Sequence, residues 1–279
     1  MEITLDAFIN TAIQEDIGSG DHTSFSCIPA DATGQAQLII KQNGILAGVN
    51  VAQHVFRHID DSITFQQNIC DGIDVKKGDI AFTISGKVQS ILKSERLVLN
   101  IMQRMSGIAT ETRKYVDKLQ GLHTKVIDTR KTTPGMRMLE KLAVRIGGGT
   151  NHRMGLYDMI LIKDNHVDFA GGINKALQKT AEYLKANNLN LKVEIETRNL
   201  DEIQQVLDNG FVNRIMLDNF DVATTHKAVE MINHRYETES SGGITLETIR
   251  DYAECGVDFI SVGALTHQIK SLDLSLKAV

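Results

Sequence analysis

LKVEIETRNLDEIQQVLDNGFVNRIMLDN, residues 191–219, holds one complete structural period. Residues 191–197 and 213–219 are short runs that read as strands, and 199–209 reads as the helix joining them. Strand, helix, strand implies two parallel strands with a right-handed crossover. The same rhythm extends both ways. Upstream lie HTKVIDT (123–129) and DMILIKD (158–164), downstream RYETESS (235–241) and DFISVGA (258–264), with helices expected near 135–146, 172–187, 222–234 and 245–255. Six such strands in a row favour a closed or nearly closed α/β barrel over an open sheet. A standard barrel has about eight strands, so this one is incomplete or is finished by segments without a clear strand pattern.

Polar residues collect at one end of these strands. Asp128, Arg130 and Lys131 follow the first and Lys163 closes the second, while Glu194 and Glu196 end the third. Asp218 ends the fourth, Ser240 and Ser241 the fifth, and Gly263 the sixth. The C-terminal mouth of parallel strands is where barrel enzymes keep their active sites. In LKVEIET, Lys192, Glu194 and Glu196 alternate with Val193 and Ile195. The apolar face has to meet the helices, so the charged face is expected to point into the barrel. Carboxylates buried there must be paired, metal-bound or protonated. Lys192, the basic cluster upstream, and Mg²⁺ held together with Asp218 are the available partners; an ordinary ion-pair network is the plain alternative.

That basic cluster spans residues 127–166 and holds Arg130, Lys131, Arg137, Lys141, Arg145, His152, Arg153 and Lys163, in a chain whose formal net charge is −5. Guanidinium forks near Gly-rich turns suit carboxylates and phosphates, which points to a small, multiply anionic substrate. SSGG (240–243) and VGA (262–264) are backbone-rich turns at adjacent late strands. Such turns aim N–H groups at a phosphate.

The rest of the chain offers less chemistry. Residues 4–17 read as a helix capped by Thr4, with IGSGDHTS (17–24) as the turn that ends it. From 35 to 88 the texture is β-rich, interrupted by a helix near 49–58. His54 and His58 stand four apart on that helix, but no third ligand is in sight, so they read as surface or interface histidines. A long helical tract covers 90–120, with a break expected near Gly107. Arg96 and Arg104 sit inside its apolar run. Either they form surface ion pairs or one is delivered across an interface into a site, and spacing does not decide between these.

Hydrophobic residues make up 42% of the 279 and charged residues 23%, the balance of an ordinary globular chain. The negative net charge argues against a general nucleic-acid surface. Three scattered cysteines, Cys27, Cys70 and Cys255, give neither a disulfide framework nor a zinc site. The first twenty residues lack the basic and apolar regions of a leader, and no run of about eighteen apolar residues occurs. A soluble cytoplasmic protein that avoids membranes and nucleic acid is the expectation.

Several motifs are recognisable together: DTRKTTPGMRMLEKLAVRIGGGTNHRMGLYDMILIKDNH (128–166), ERLVLNIMQRMSGIAT (95–110), KVEIET (192–197), IMLDNF (215–220), ESSGGIT (239–245) and ISVGALT (260–266). In this order they resemble the quinolinate phosphoribosyltransferase family over essentially the whole chain. The resemblance implies an N-terminal α/β sandwich domain (1–106), an incomplete, about seven-stranded α/β barrel (107–265) and a tail (266–279) that packs back on the first domain. It implies a homodimer and Mg²⁺. It implies phosphoribosyl transfer from phosphoribosyl pyrophosphate to quinolinate, with decarboxylation, in NAD biosynthesis. By the same resemblance Arg130, His152, Arg153 and Lys163 hold the quinolinate carboxylates, Lys131 stands between substrate and phosphates, and Arg96 is donated by the neighbouring subunit. Glu196 and Asp218 approach the ribose and Mg²⁺, and with Lys131 and Lys163 form the catalytic set. Ser241, Gly242 and Gly243, with Val262, Gly263 and Ala264, bind phosphate.

Two rival chemistries remain. Lys163 ends an apolar strand, a place where an aldolase keeps its Schiff-base lysine. A non-catalytic binder of phosphorylated metabolites would also want the cations, but gives no reason for inward-facing acids.

Overall fold

The structure is a computed structural model and describes residues 4–279; residues 1–3, part of the stretch read for a leader, lie outside the described residues. In chain order the elements are α1 (Leu5–Ile17), α2 (His22–Cys27), β1 (Thr33–Ile40), β2 (Gly44–Ile45), α3 (Val49–Ile59), β3 (Thr64–Gln67), β4 (Asp74–Val75), β5 (Ile80–Lys87) and α4 (Val88–Lys118). There follow β6 (Lys125–Ile127), α5 (Arg137–Ile146), β7 (Ile160–Ile162), α6 (Asp164–Ala170), α7 (Ile173–Ala186), β8 (Val193–Thr197), α8 (Leu200–Asn209) and β9 (Arg214–Asp218). The chain closes with α9 (Val222–Ile232), β10 (Glu237–Ser241), α10 (Ile249–Glu254), β11 (Phe259–Ser261), α11 (Ala264–His267) and β12 (Leu274–Ala278). Among the described residues no helix is long and apolar enough to cross a membrane.

Two compact units share these elements. The first comprises residues 4–113, 132–148 and 265–279. Its main sheet is antiparallel in the order β12-β1-β5-β3, with β2 and β4 paired separately. The α3 helix buries Val51, Ala52, Val55 and Phe56. Phe56 meets Phe82 edge-on at 6.0 Å and Phe82 meets Phe65 at 4.5 Å, an aromatic cluster at helix–sheet contact. Thr4 caps α1 by accepting the Ala7 N–H. His54 and His58 project from α3 to Asp6 and Asn10 of α1 at 2.6 Å each, surface partners as the spacing suggested.

Two local expectations need correction. The IGSGDHTS segment is not all turn: Asp21 caps a short α2 by accepting the Ser24 N–H. The helical tract does not break at Gly107, since α4 runs through it for 31 residues. Glycine is required there because a Cβ would collide with the Lys270 carbonyl.

The second unit, residues 114–131 and 149–264, carries the parallel sheet in the order β6-β11-β10-β9-β8-β7. All six expected strands are present. Successive helices from α6 to α10 pack in order beside one another. The β8 strand is buried at all five positions, as a strand covered on both faces should be. Among the described residues β6 and β7 do not pair, so the sheet does not close into a barrel. A seventh strand position exists only as a one-residue parallel bridge from Thr150 to Ile127.

Candidate active site

The candidate residues of the second unit lie where the parallel strands end. After β6, Asp128 is fully buried and acts as a bracket. Its two oxygens accept the His152 N–H (2.9 Å) and the Asn151 side-chain amide (2.6 Å). This fixes the turn that delivers His152 and Arg153. Arg130 and Lys131 are exposed on the loop beyond Asp128.

Arg153 is 8% exposed, and its guanidinium donates to the Met159 carbonyl at 3.1 Å. Its pKa is lowered by burial and by the neighbouring Arg130 charge. Two guanidinium groups near enough to repel each other suit an anion set between them. Around them Asp158 holds its own loop, accepting the Met154 and Gly155 N–H groups.

Lys163 immediately follows β7 and its ammonium is ion-paired with Glu196 of β8. Glu196 also accepts the Asp164 N–H at 3.3 Å. The lysine side chain is 47% exposed. A Schiff-base lysine is activated by desolvation in an apolar pocket or by a second cation; a half-exposed, carboxylate-bound ammonium is the opposite arrangement. Asp218 ends β9 and accepts the Asn219 amide at 2.8 Å. Its pKa is raised, first by burial and then by the charges of Glu196 and Asp164, with Lys163 opposing. Lys163 and, at longer range, Arg153 act on Glu196, and the donors of Glu196 and Asp218 are all oxygen, the set that Mg²⁺ takes. Glu196 and Asp218 therefore fit a cation.

At the end of β10, Ser241 accepts the Asn219 N–H through its carbonyl at 2.8 Å. Gly242 follows at φ +101°, and a Cβ there would collide with the Asn219 side chain. Gly243 is also left-handed at φ +61°. Val262 donates its N–H to the Ile127 carbonyl at 3.0 Å, tying the Val262–Gly263–Ala264 turn to β6. Arg96 belongs to the first unit, exposed on α4.

Beneath this layer lies a charged network in which the strand-end pattern marks Glu194 but not Arg214 or Glu239. Glu194 and Glu239 are fully buried, and Arg214 is 9% exposed. The His152 Nε2 approaches Glu194 at 2.9 Å and Glu239 at 3.4 Å. Arg214 donates to Glu239 at 2.9 Å and lies 3.2 Å from Glu237. The register explains the assembly, because Arg214 stands opposite Glu194 on β8 and Glu237 on β10. Its guanidinium also covers the Phe259 ring at 3.9 Å. Lys192, offered by alternation as a partner for these acids, lies outside β8 and is exposed; His152 and Arg214 take that place. Alternation in RYETESS, where Glu237 and Glu239 share a face, was the available signal.

Burial alone would depress the His152 pKa, but the two carboxylates outweigh it and raise it to about 9. In the neutral ring Nδ1 accepts the Arg153 N–H at 2.6 Å and the proton lies on Nε2, toward the acids; the doubly protonated ring that the raised pKa favours loses that acceptor. Both ring nitrogens are thus engaged within the chain, and a direct ligand contact by His152 requires one of them to change partner. Burial and the Glu239 charge raise the Glu194 pKa to about 7. His152, Glu194 and Glu239 are also close enough to share an ion, yet Arg214 already compensates the acids.

Cations and acids gathered where parallel strands end, above a buried charged layer, are the arrangement of an α/β enzyme with an incomplete barrel, and suit a polyanionic substrate. The family models for quinolinate phosphoribosyl transferase match residues 21–106 with the N-terminal domain and 108–277 with the C-terminal domain. The chain is 45% identical to quinolinate phosphoribosyltransferase [decarboxylating] 1b of Nicotiana tabacum, covering 98% of this chain and 82% of that one. It is 46% identical to the chloroplastic nicotinate-nucleotide pyrophosphorylase [carboxylating] of Arabidopsis thaliana, with the same coverage of each. The crystal structure of NadC from Streptococcus pyogenes superposes with a TM-score of 0.92 at 37% identity, covering 100% of this chain and 99% of that one. The chain belongs to the quinolinate phosphoribosyl transferase family.

Proposed function

We propose that this protein transfers the phosphoribosyl group of phosphoribosyl pyrophosphate to quinolinate, with loss of CO₂, yielding nicotinate mononucleotide and pyrophosphate for NAD synthesis. The observation that carries the reading is the family match across both units, joined to a site whose charges suit these reactants. Quinolinate is a dianion, and Arg130 and Arg153 offer adjacent guanidinium groups, with Lys163 beyond them. Lys131, on the loop after β6, lies between the quinolinate side and the phosphates. The left-handed Gly242 and Gly243, with the Val262–Gly263–Ala264 turn, present backbone N–H groups to phosphate. His152 supports Arg153 from below through its Nδ1 contact.

As pyrophosphate departs, C1 of the ribose takes on oxocarbenium character. Glu196 and Asp218 supply the negative field that stabilises it. Mg²⁺, when bound, offsets charge on the leaving group, and Glu196 and Asp218 are the residues that would hold it, directly or through water or substrate. The ring nitrogen of the adduct is cationic, so the bond to the adjacent carboxylate breaks with its electron pair kept on the ring carbon as CO₂ leaves, and a proton from solvent then takes its place on that carbon. The protein acts as a homodimer in the cytoplasm, with Arg96, exposed on α4, contributed to the neighbouring subunit's site.

The test is release of pyrophosphate and CO₂ from quinolinate, phosphoribosyl pyrophosphate and Mg²⁺, with nicotinate as the parallel acceptor. Both products from quinolinate alone are expected. Turnover of nicotinate in preference would overturn the acceptor, and adding excess EDTA should abolish turnover if the metal is needed.

A further inference from the structure

Arg104 takes no part in the chemistry above, yet its guanidinium is among the most committed in the first unit. Its Nε donates to Glu140 at 2.7 Å, and Nη2 lies 2.6 Å from the same oxygen. Nη2 also reaches the Thr133 hydroxyl at 2.8 Å and the Thr266 carbonyl at 3.2 Å. Glu140 is wholly buried on α5, and its other oxygen accepts the Thr133 N–H at 3.1 Å. One residue earlier, the Thr132 hydroxyl accepts from Arg137 at 2.9 Å. Every group in this network belongs to the first unit.

The two segments held by Arg104 lead straight into site segments. Thr133 stands two residues after Lys131, and Thr266 two residues after Ala264. We propose that Arg104 is a positioning residue that fixes, through one guanidinium, the loop carrying Arg130 and Lys131 and the turn carrying Gly263 and Ala264. The inference rests on the reading that these segments hold the two substrates. A planar fork can meet Glu140, Thr133 and Thr266 together, whereas a lysine ammonium, with its donors gathered on one atom of a shorter reach, does not reproduce that fork. Without the clamp, the TTPG run at 132–135, which includes Gly135 at φ +80°, keeps the side-chain contacts of Glu140 and Arg137 but loses its tie to α4.

The experiment compares wild type with R104K, which keeps a positive charge beside buried Glu140, and with R104A/E140Q, which removes both charges so that no buried carboxylate is stranded. Trypsin cleavage at Arg130 and Lys131 in the folded protein reads the loop without reference to activity. Steady-state kinetics reads the two KM values against kcat. Both variants should be cut about tenfold faster and should show about tenfold higher KM for quinolinate and for phosphoribosyl pyrophosphate, with kcat reduced much less. Unchanged cleavage overturns the proposal. So does faster cleavage with both KM values within about twofold of wild type, since that would make Arg104 merely structural. If wild type itself fails to turn over quinolinate, the functional reading falls, while cleavage still judges the clamp.

Discussion

Replacing Arg214 by methionine keeps most of its volume and removes the charge that offsets Glu194 and Glu239. Both acids are fully buried, and the guanidinium lies 2.9 Å from one and 3.9 Å from the other. Taking one partner from a buried ionic network costs about 3–5 kcal/mol, because the remaining charge is stranded. Lost contact with the Phe259 ring adds about 0.5–1 kcal/mol. The cost should depend on pH. Glu194 and His152 both have raised pKa values in the folded chain. Their stabilising contributions are therefore complete below 4.5 and 6.5, the ordinary values, and are lost as pH climbs through about 7 and about 9. In Arg214→Met the Glu194 pKa rises further, and a proton on it at pH 5.5 relieves part of the penalty. Each pKa unit is worth about 1.4 kcal/mol, so the loss should be about 4 kcal/mol at pH 8 and smaller by about 1–2 kcal/mol at pH 5.5. The chain contains no tryptophan, so urea unfolding is best followed by far-ultraviolet circular dichroism. A loss below about 1 kcal/mol, or one equal at the two pH values, would refute the view that Arg214 stabilises ionised acids.

Other expectations follow from the layer above. Arg130→Ala should lose quinolinate transfer while its circular dichroism and urea midpoint stay those of wild type; near-normal turnover would remove Arg130 from the site. Glu196→Gln frees Lys163 and weakens the field at C1, and single-turnover measurements should show kcat lowered by about 10²–10³-fold. Gly242→Ala places a Cβ against Asn219 at a left-handed position. It should cost about 1–3 kcal/mol and raise KM for phosphoribosyl pyrophosphate more than for quinolinate, a split that initial-rate kinetics would reveal.

Much of the parallel sheet was legible because one face of each strand is apolar and each strand is followed by a helix. The burial of Glu194 and Glu196 followed from alternation in a single strand, where Val193 and Ile195 had to face the helices. Pairing was not legible. Lys192 was nearest in sequence, but the partner of Glu194 comes from register, which sets Arg214 opposite it, and from the distant turn that brings His152. Gly107 misled for a related reason: intrinsic propensity marks glycine as a helix breaker, whereas the close approach of Lys270, 163 positions away in sequence, demands it. The α6 helix was hidden behind Lys163, whose charge drew the reading toward the strand end. An incomplete barrel was legible, since six strands fall short of about eight; which two fail to meet, β6 and β7, was not.

The pairing of β12 with β1 sets a schedule for synthesis. Ala36 is matched with Ala278, so the outer edge of β1 finds its neighbour only about 240 residues after it has been made. At about 5–20 residues per second this is a wait of about 12–50 seconds. Throughout it, the nascent sheet presents a row of unsatisfied amide and carbonyl groups to any passing strand. Slow translation would lengthen that window. An N-terminal fragment released early would never close it, and such fragments should aggregate where the complete chain does not.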